Sequence, residues 1–334
     1  MIQVSNNIQS INNEEWNKLL FCSSTTSFFQ SKSCYDFYAS LSFMEPFVYA
    51  VKEKDILKGV IVGYLQKENN TIKHYFTRRA IIPGGILLSD DISKQALESL
   101  LIHCKNALLK KAIYIECRNY TDFSKYKSVF IQSGFDYLPH LNFYVDCTDV
   151  NVMNKNMSAS KLRQIKKSIK SGAEIVIADS EKQIEDFYMI LKDLYTVKVK
   201  TPLFPKEYFM VFFKQKIGIY LLVQYQEEII AGIMCPILEN KVIYEMFVAG
   251  KDRVHKDIYP SILATYAAMK YASEHNIKRF DFMGAGKPDE AYGVREFKAK
   301  FGGELVEHGR FLCVLHPLLY QIGKIGVKIL KKIR

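Results

Sequence analysis

The sequence predicts an α/β (α+β) fold built from two similar domains, each with a mixed, mostly antiparallel sheet flanked by helices. In the first half, two helical patterns precede apolar segments that are joined by the charged turn KEKD at 52–55. The second half repeats this order, with a basic helix followed by apolar segments around QEE at 226–228. At 334 residues, the chain is long enough for two domains that each bury a core.

The first half contains both helical and strand patterns. Helices are predicted near 12–16, 30–38, 93–110 and 124–134, and strands at 47–51, 59–65, 81–87, 112–117 and from 135 onwards. The charged turn between the first two strands is typical of a hairpin.

The second half continues with the same kinds of element. Helices are predicted at 160–170, 181–195, 206–213 and 261–272, and strands at 173–177, 217–224, 229–236, 242–249 and 278–283. The domain boundary is expected within 147–155. We therefore predict a first domain over 1–150, a second over 151–315 and a C-terminal segment over 316–334.

The C-terminal segment predicts a basic amphipathic helix. Its apolar positions share one helical face: Leu319, Ile322, Ile325, Ile329 and Ile333. Such a helix can lie on an anionic membrane, in peripheral contact with its inner surface. Alternatively, its apolar face packs on the first domain.

Composition and charge limit the class of protein. The sequence is 49% hydrophobic, which is typical of a globular protein. Its net charge of +11 suits an anionic partner but fits ordinary solubility equally well. It lacks an apolar run long enough to span a membrane, and its start does not resemble a secretory signal, so we expect a cytoplasmic protein. Its seven cysteines form no CxxC pair, and we expect neither a metal nor a cofactor.

The stretch at 280–303 has the features of a functional site. A strand pattern ends in Gly284, and glycines allow a backbone to approach a ligand closely. Phe297 and Phe301 lie four residues apart and would share one helical face, which leaves Lys298 free to reach a ligand.

A set of short motifs, in this order along the chain, resembles the Fem aminoacyltransferase family. The motifs are FQS at 29–31, PGG at 83–85, RQIKK at 163–167, YP at 259–260, FDFMG at 280–284 and GVREFKAKFGG at 293–303. The resemblance extends over nearly the whole chain. It implies two tandem GNAT-like domains, the fold of acyl-CoA N-acyltransferases.

The resemblance also implies the chemistry. Fem enzymes transfer an aminoacyl group from aminoacyl-tRNA to an amine of a peptidoglycan precursor. Lys298 matches the lysine of the family's Phe-Lys motif, whose suggested role is to stabilise the negative charge of the tetrahedral intermediate. The alternative is a solvated lysine beside two core phenylalanines.

Further residues are candidates for binding. Arg295, Tyr259 and Arg118 are expected in a cleft between the domains, while Asp281 either orients substrate or caps the turn at Gly284. The basic helix is expected to contact phosphates of tRNA or of a lipid-linked precursor, unless it is only a solvated face, through Arg163, Lys166, Lys167 and Lys170.

Three positions depart from the family members that act on a nucleotide-linked precursor. Tyr38, Phe204 and Arg118 stand where those members carry a lysine, an arginine and an aspartate. The departures argue against a diphosphate-sugar acceptor but leave acyl transfer in place.

Two other functions stay open. One is a GNAT-type N-acyltransferase with an acyl-CoA or acyl-carrier donor, although the corresponding turn at 253–260 lacks the glycines that bind pyrophosphate. The other is a non-catalytic protein that binds anionic ligands or nucleic acid, although no nucleic-acid-binding motif is present.

Overall fold

The computed structural model describes residues 1–66 and 78–333, and the side chains only as far as residue 326. The strands are β1 Ile2–Ser5, β2 Met44–Glu53, β3 Ile56–Gln66, β4 Arg79–Gly84, β5 Leu87–Leu88, β6 Tyr114–Asn119, β7 Asp136–Leu138, β8 Leu141–Asp146, β9 Glu174–Ile177, β10 Gly218–Tyr225, β11 Glu228–Leu238, β12 Val242–Tyr244, β13 Phe247–Gly250, β14 Arg279–Asp281, β15 Glu304–Glu307 and β16 Arg310–Val314. The helices are α1 Asn13–Cys22, α2 Lys32–Ala39, α3 Lys94–Leu108, α4 Lys127–Gln132, α5 Val150–Asn156, α6 Ala159–Lys170, α7 Glu181–Leu194, α8 Lys206–Gln215, α9 Pro260–Glu274, α10 Gly293–Ala299 and α11 Pro317–Ile333.

The chain divides into two compact units that differ from the predicted domains in their boundaries. Unit 1 comprises Met1–His140 and Glu307–Arg334, and unit 2 comprises Leu141–Val306. The predicted domains were 1–150 and 151–315, followed by the segment 316–334. The difference arises because β8 pairs with β14 in unit 2, while β16 pairs with β6 and β7 in unit 1. Both pairings join residues that are far apart in sequence, so local patterns do not reveal them.

Unit 1 contains a mixed, mostly antiparallel sheet. Its strand order is β1-β2-β3-β4-β6-β16-β7, with β5 beside β3, and β4 and β6 are parallel. Helix α3 begins at the N-cap Ser93, whose side chain accepts a hydrogen bond from the backbone N–H of Ala96. Its apolar face, which includes Leu97, Leu101 and Cys104, is buried in the core of this unit. The predicted helix and sheet pattern of the first half is therefore confirmed.

Unit 2 has a second mixed sheet. Its strand order is β15-β8-β14-β12-β11-β10-β9, with β13 also paired to β11, and β12 and β14 are parallel. The alanine-rich helix α9 buries Ala264, Ala267, Ala268 and Ala272 in the core. Small side chains let a helix approach a sheet closely, which explains why so many alanines occupy one element.

The segment between β12 and β13 contains a bulge. Ile243 pairs with Ile237 and Phe247 pairs with Met234, so four steps on one side match three steps on β11. One residue is therefore extra, and such an insertion redirects the side chains around it. The affected residues include Glu245.

The C-terminal helix α11 is assigned to unit 1. Its Tyr320 ring lies edge-on to Tyr114, with 5.4 Å between the ring centroids. Leu318, Ile322 and Ile325 are exposed, whereas the predicted apolar positions at 329 and 333 lie outside the described side chains. Among the described helices, none combines the length and the apolar character needed to cross a membrane.

Gly302, which follows α10, provides a test of the fold. It has a φ of +83°, and a Cβ there would lie 2.4 Å from the backbone oxygen of Asn156. Gly302→Ala is expected to lower the free energy of unfolding by about 2–4 kcal/mol, because the clash involves backbone that cannot rotate away. Urea denaturation measures the change. Gly326→Ala is the control, since its Cβ would meet nothing within 4 Å, and an equal loss in both variants would contradict the prediction.

Candidate active site

A sharp turn after β14 forms the centre of the candidate site. Met283 has a φ of +57° and Gly284 a φ of +136°, both in the left-handed region. The Asp281 carboxylate accepts hydrogen bonds from the Met283 backbone N–H and from the Asn142 amide, both at 2.7 Å. The Asn142 side-chain oxygen accepts from the Gly284 N–H at 2.7 Å. The structure shows that Asp281 caps the turn, and its contact with substrate stays a prediction.

The turn presents two carbonyl oxygens to Lys298 of α10. The Lys298 ammonium donates to the Phe282 oxygen at 2.7 Å and to the Gly284 oxygen at 2.9 Å, and lies 3.3 Å from a carboxylate oxygen of Glu245. An ammonium has three N–H donors, and this one has two hydrogen-bonded carbonyl oxygens and one ion-pair partner. The side chain is 11% exposed. It is therefore neither the free lysine nor the solvated lysine that the sequence suggested.

Glu245 is the acidic partner of Lys298 and was missed by the sequence analysis. Its side chain is 4% exposed, and the Thr265 hydroxyl donates to it at 3.3 Å. Burial raises the pKa of Glu245 and the charge of Asp281 adds to this, while Lys298 and Thr265 act in the opposite direction. Glu245 is the single charged residue within the apolar run at 242–249. That position was the sequence signal that could have identified it.

Arg295 holds the loop that follows the turn. Its guanidinium donates to the backbone oxygens of Ala285 at 2.9 Å and Glu290 at 3.1 Å, and also bonds the Lys287 oxygen. This arrangement gives Arg295 a role in shaping the loop between β14 and α10. Its contact with substrate stays a prediction.

Tyr259 lies at the start of α9 and is joined to the basic helix α6. Its backbone N–H donates to the Ser168 hydroxyl at 2.9 Å, and that hydroxyl donates to the Gln164 oxygen at 2.9 Å. The Tyr259 side chain packs partly on the core of unit 2. The bond fixes α6 against the start of α9.

Helix α6 has one buried face and one basic, exposed face. Lys161, Ile165 and Ser168 are buried. The predicted phosphate-binding residues are all exposed: Arg163, Lys166, Lys167 and Lys170. Lys167 also forms an ion pair with Asp257 at 2.6 Å. The predicted shared face is confirmed, while phosphate binding stays a prediction.

Arg118 lies in unit 1, on β6, and is part of a different charge cluster. Arg118 and Arg310 bind opposite oxygens of Glu116, at 2.8 Å and 2.7 Å. Burial opposes ionisation of Glu116, but the two guanidiniums outweigh it and lower the pKa of the carboxyl to about 2. The structure therefore places Arg118 in an ion-pair network, and its role in substrate binding stays a prediction.

The structure thus brings three of the predicted residues together in unit 2, whereas Arg118 lies in unit 1. Lys298, Asp281 and Gly284 form one cluster, to which it adds Asn142 and Glu245. Within the described part of the chain, no group of three or more histidine, cysteine, aspartate or glutamate residues is placed to hold a metal ion.

Comparison with known proteins points to one family. Residues 220–327 match the FemAB family model. Over 130 residues the chain is 31% identical to the lipid II:glycine glycyltransferase of Staphylococcus haemolyticus (strain JCSC1435), an alignment that covers 35% of this chain and 28% of that enzyme. The match thus spans about a quarter of that relative. The predicted resemblance to the Fem family is confirmed for residues 220–327, which include Glu245, Asp281 and Lys298.

Solved structures show the fold of the whole chain. FemX has a TM-score of 0.73 at 15% identity, with 96% of this chain and 99% of that chain covered. A tandem GNAT protein from the clavulanic acid biosynthesis pathway has a TM-score of 0.61 at 8% identity, with 94% and 99% covered. L-PGS from Bacillus licheniformis has a TM-score of 0.59 at 14% identity, with 94% and 96% covered. The predicted tandem GNAT-like fold is confirmed.

The charge cluster in unit 1 predicts a pH-dependent contribution to stability. Because the folded pKa of Glu116 is about 2 and its ordinary value is 4.5, the ion pairs stabilise the fold above pH 4.5 and lose this effect between pH 4.5 and 2. Glu116→Gln is expected to lower the free energy of unfolding at pH 7 by about 3 kcal/mol. Urea denaturation at pH 7 and pH 3 tests this, and a difference between variant and wild type that does not narrow at pH 3 would refute it.

The buried pair of Lys298 and Glu245 predicts strong coupling. Lys298→Met leaves a buried carboxylate without its cation, and we expect it to destabilise the protein by about 3–5 kcal/mol. Adding Glu245→Gln removes that uncompensated charge, so the double variant is expected to be more stable than Lys298→Met alone. A double-mutant cycle by urea denaturation measures the coupling energy. Strictly additive effects would show that the pair is not coupled.

Proposed function

We propose that this protein is an aminoacyltransferase of the Fem type, which transfers an aminoacyl group from aminoacyl-tRNA to an amine of a peptidoglycan precursor. The observation that carries the proposal is the buried Lys298–Glu245 pair beside the turn at Gly284, because both residues lie inside the region matched by the FemAB model. The 31% identity to a lipid II:glycine glycyltransferase supports the choice of acceptor.

The reaction requires a hydrogen-bond donor that stabilises the negative charge developing on the carbonyl oxygen. The acceptor amine attacks the ester carbonyl of the donor, so that a C–N bond forms and negative charge builds on the carbonyl oxygen. The C–O bond to the ribose then breaks, the ribose oxygen takes a proton, and the attacking nitrogen loses one. A fixed N–H donor at the carbonyl oxygen lowers the barrier to the first step.

Lys298 is the residue that we assign to this role. Its three acceptors fix the position of the ammonium, and a position fixed before reaction avoids reorganisation during it. Because the ammonium already has two hydrogen-bonded carbonyl oxygens and one ion-pair partner, the oxyanion replaces one of these three in our proposal. We assign the Gly284 oxygen as the acceptor that yields, since a glycine tolerates the accompanying backbone change.

Glu245 determines how Lys298 acts. Two buried carboxylates, Glu245 and Asp281, accompany one ammonium in this cluster. Lys298 therefore contributes an oriented hydrogen-bond donor rather than a surplus of positive charge. Glu245 is a positioning residue in this proposal, because it is the ion-pair partner of the ammonium beside the two turn carbonyls.

Exposed residues on two helices support the proposal that the aminoacyl donor is anionic and that the acceptor is bound to a membrane. Arg163, Lys166 and Lys170 are exposed on one face of α6, where tRNA phosphates could be bound. Leu318, Ile322 and Ile325 are exposed on α11, which supports peripheral contact with the inner membrane surface. We propose that the protein acts in the cytoplasm at that surface.

Transfer of labelled amino acids tests the proposal. Lys298→Met is expected to lower kcat by about 10²–10³ with little change in KM, because the lost interaction forms only in the transition state. The assay combines a pool of tRNAs charged with radiolabelled amino acids, lipid II in vesicles and the purified protein. Lys287→Met is the matched control, since Lys287 is an exposed lysine of the neighbouring loop, paired with Glu290.

Each outcome decides between the functions. Wild-type transfer that Lys298→Met abolishes and Lys287→Met preserves supports the proposal. Equal transfer by wild type and Lys298→Met would show that Lys298 takes no part in the chemistry. Acylation from acetyl-coenzyme A and none from tRNA would favour an N-acyltransferase, and no transfer from either donor would overturn the proposal.

A further inference from the structure

Lys161 is a buried lysine that the chemistry described so far does not use. It lies in the first turn of α6 and is 4% exposed. Its ammonium lies 3.8 Å from the ring centroid of Phe297 and 5.0 Å from that of Phe301. The two rings pack edge to face, 5.3 Å apart. One ammonium thus contacts two rings that lie on either side of Lys298 in the chain.

The helix that carries Lys298 depends on contacts from outside. Helix α10 has only seven residues and none of them is fully buried, so its own packing fixes it weakly. Residues where α5 ends and α6 begins contact the segment that directly follows α10. The Ser158 N–H donates to the Lys300 oxygen at 3.0 Å, and Gly302 lies against the backbone of Asn156. Lys161 adds the side-chain contact on the two rings.

The charges around Lys161 do not neutralise it. Within the described residues, no carboxylate lies within 4 Å of its ammonium. Burial lowers the pKa of Lys161 to about 8, Lys300 adds to this effect, and Asp252 opposes it. A neutral side chain of similar length would avoid the free energy lost on burying an ammonium. Packing alone therefore does not explain a lysine at this position.

The contact geometry explains the charge. A cation over an aromatic face is attracted by the electron density of the ring, most strongly where water is excluded. Here the same cation binds both Phe297 and Phe301. Movement of α10 relative to α6 would break these contacts, so the charge resists displacement of the helix that carries Lys298.

We propose that Lys161, in its protonated form, is a positioning residue that holds Lys298 in place by binding the two aromatic rings on either side of it. The expected effect on transfer rests on the proposed function, whereas the effect on the position of α10 does not. Lys161 does not touch the reacting atoms in this proposal. It acts through Phe297 and Phe301.

The proposal predicts a specific pH dependence. The attraction to the rings is present while Lys161 is protonated and is lost as the pH rises through about 8. In the wild type, transfer is expected to fall over that range. Lys161→Arg keeps its charge throughout and is expected to lack that fall. A residue with a purely structural role would not move the pH profile.

Three variants test the proposal in the full chain. Lys161→Met keeps the length of the side chain but removes the charge, Lys161→Arg keeps the charge, and Lys155→Met changes an exposed lysine on the preceding helix. Hydrogen–deuterium exchange of the peptide 293–301 is compared among them at pH 7. Exchange is expected to be roughly 30-fold faster in Lys161→Met, the factor that corresponds to losing a desolvated cation–π contact. Lys161→Arg and Lys155→Met are expected to match the wild type.

Transfer and stability are measured on the same variants. Lys161→Met is expected to lower kcat between about 10-fold and 100-fold with KM nearly unchanged, since Lys298 is displaced rather than removed. Its melting temperature is expected to equal or exceed that of the wild type, because an ammonium is no longer buried. A lower kcat with an equal or higher melting temperature would show that Lys161 positions Lys298 rather than stabilising the fold.

The outcomes distinguish the two proposals. Unchanged exchange of 293–301 in Lys161→Met overturns the positioning role whatever the activity. Faster exchange in a protein that transfers no amino acid supports the positioning role and overturns the proposed function. Equal losses of kcat in Lys161→Met and Lys161→Arg would show that the charge is not what matters and would also overturn the role.

Discussion

The buried ammonium of Lys298 is the constraint on which the rest of unit 2's candidate site depends. A charge at 11% exposure has lost most of its hydration, so the protein must replace it with acceptors. Two acceptors come from the turn after β14, which explains why Met283 and Gly284 adopt left-handed conformations. The third comes from Glu245, which the bulge between β12 and β13 places in the core.

The same constraint extends beyond the cluster. Asn142 and Asp281 hold the turn whose carbonyls bind Lys298, so a residue of β8 contributes to a site formed otherwise by β14 and α10. Lys161 in turn contacts the rings of Phe297 and Phe301. The exposed basic face belongs to the same helix as Lys161. A ligand bound to that face would therefore bind a helix that directly contacts the segment carrying Lys298.

Local patterns predicted the elements well but not their long-range pairing. Local sequence patterns predicted α3, α6 and α9, because a helix or strand is encoded within about ten neighbouring residues. The pairing of β8 in one unit and β16 in the other joins strands that are distant in sequence. For the same reason Lys298 and the turn at Gly284, which are close in sequence, could be predicted together. Asn142 and Glu245 could not, since only the folded sheet brings them there.

Burial of the charges in this cluster argues against a purely stabilising role for it. An ion pair in a core gains attraction but loses the hydration of both partners, and apolar residues of similar volume are often as stable or more so. A cluster of one ammonium with Glu245 and Asp281 is therefore a poor device for stability alone. Lys161 is a second example, since its charge is buried at a position where a neutral side chain of similar length would pack without losing hydration. Lys298 lies on this short helix and Lys161 contacts Phe297 of the same helix, so the role proposed for Lys298 would account for both buried charges.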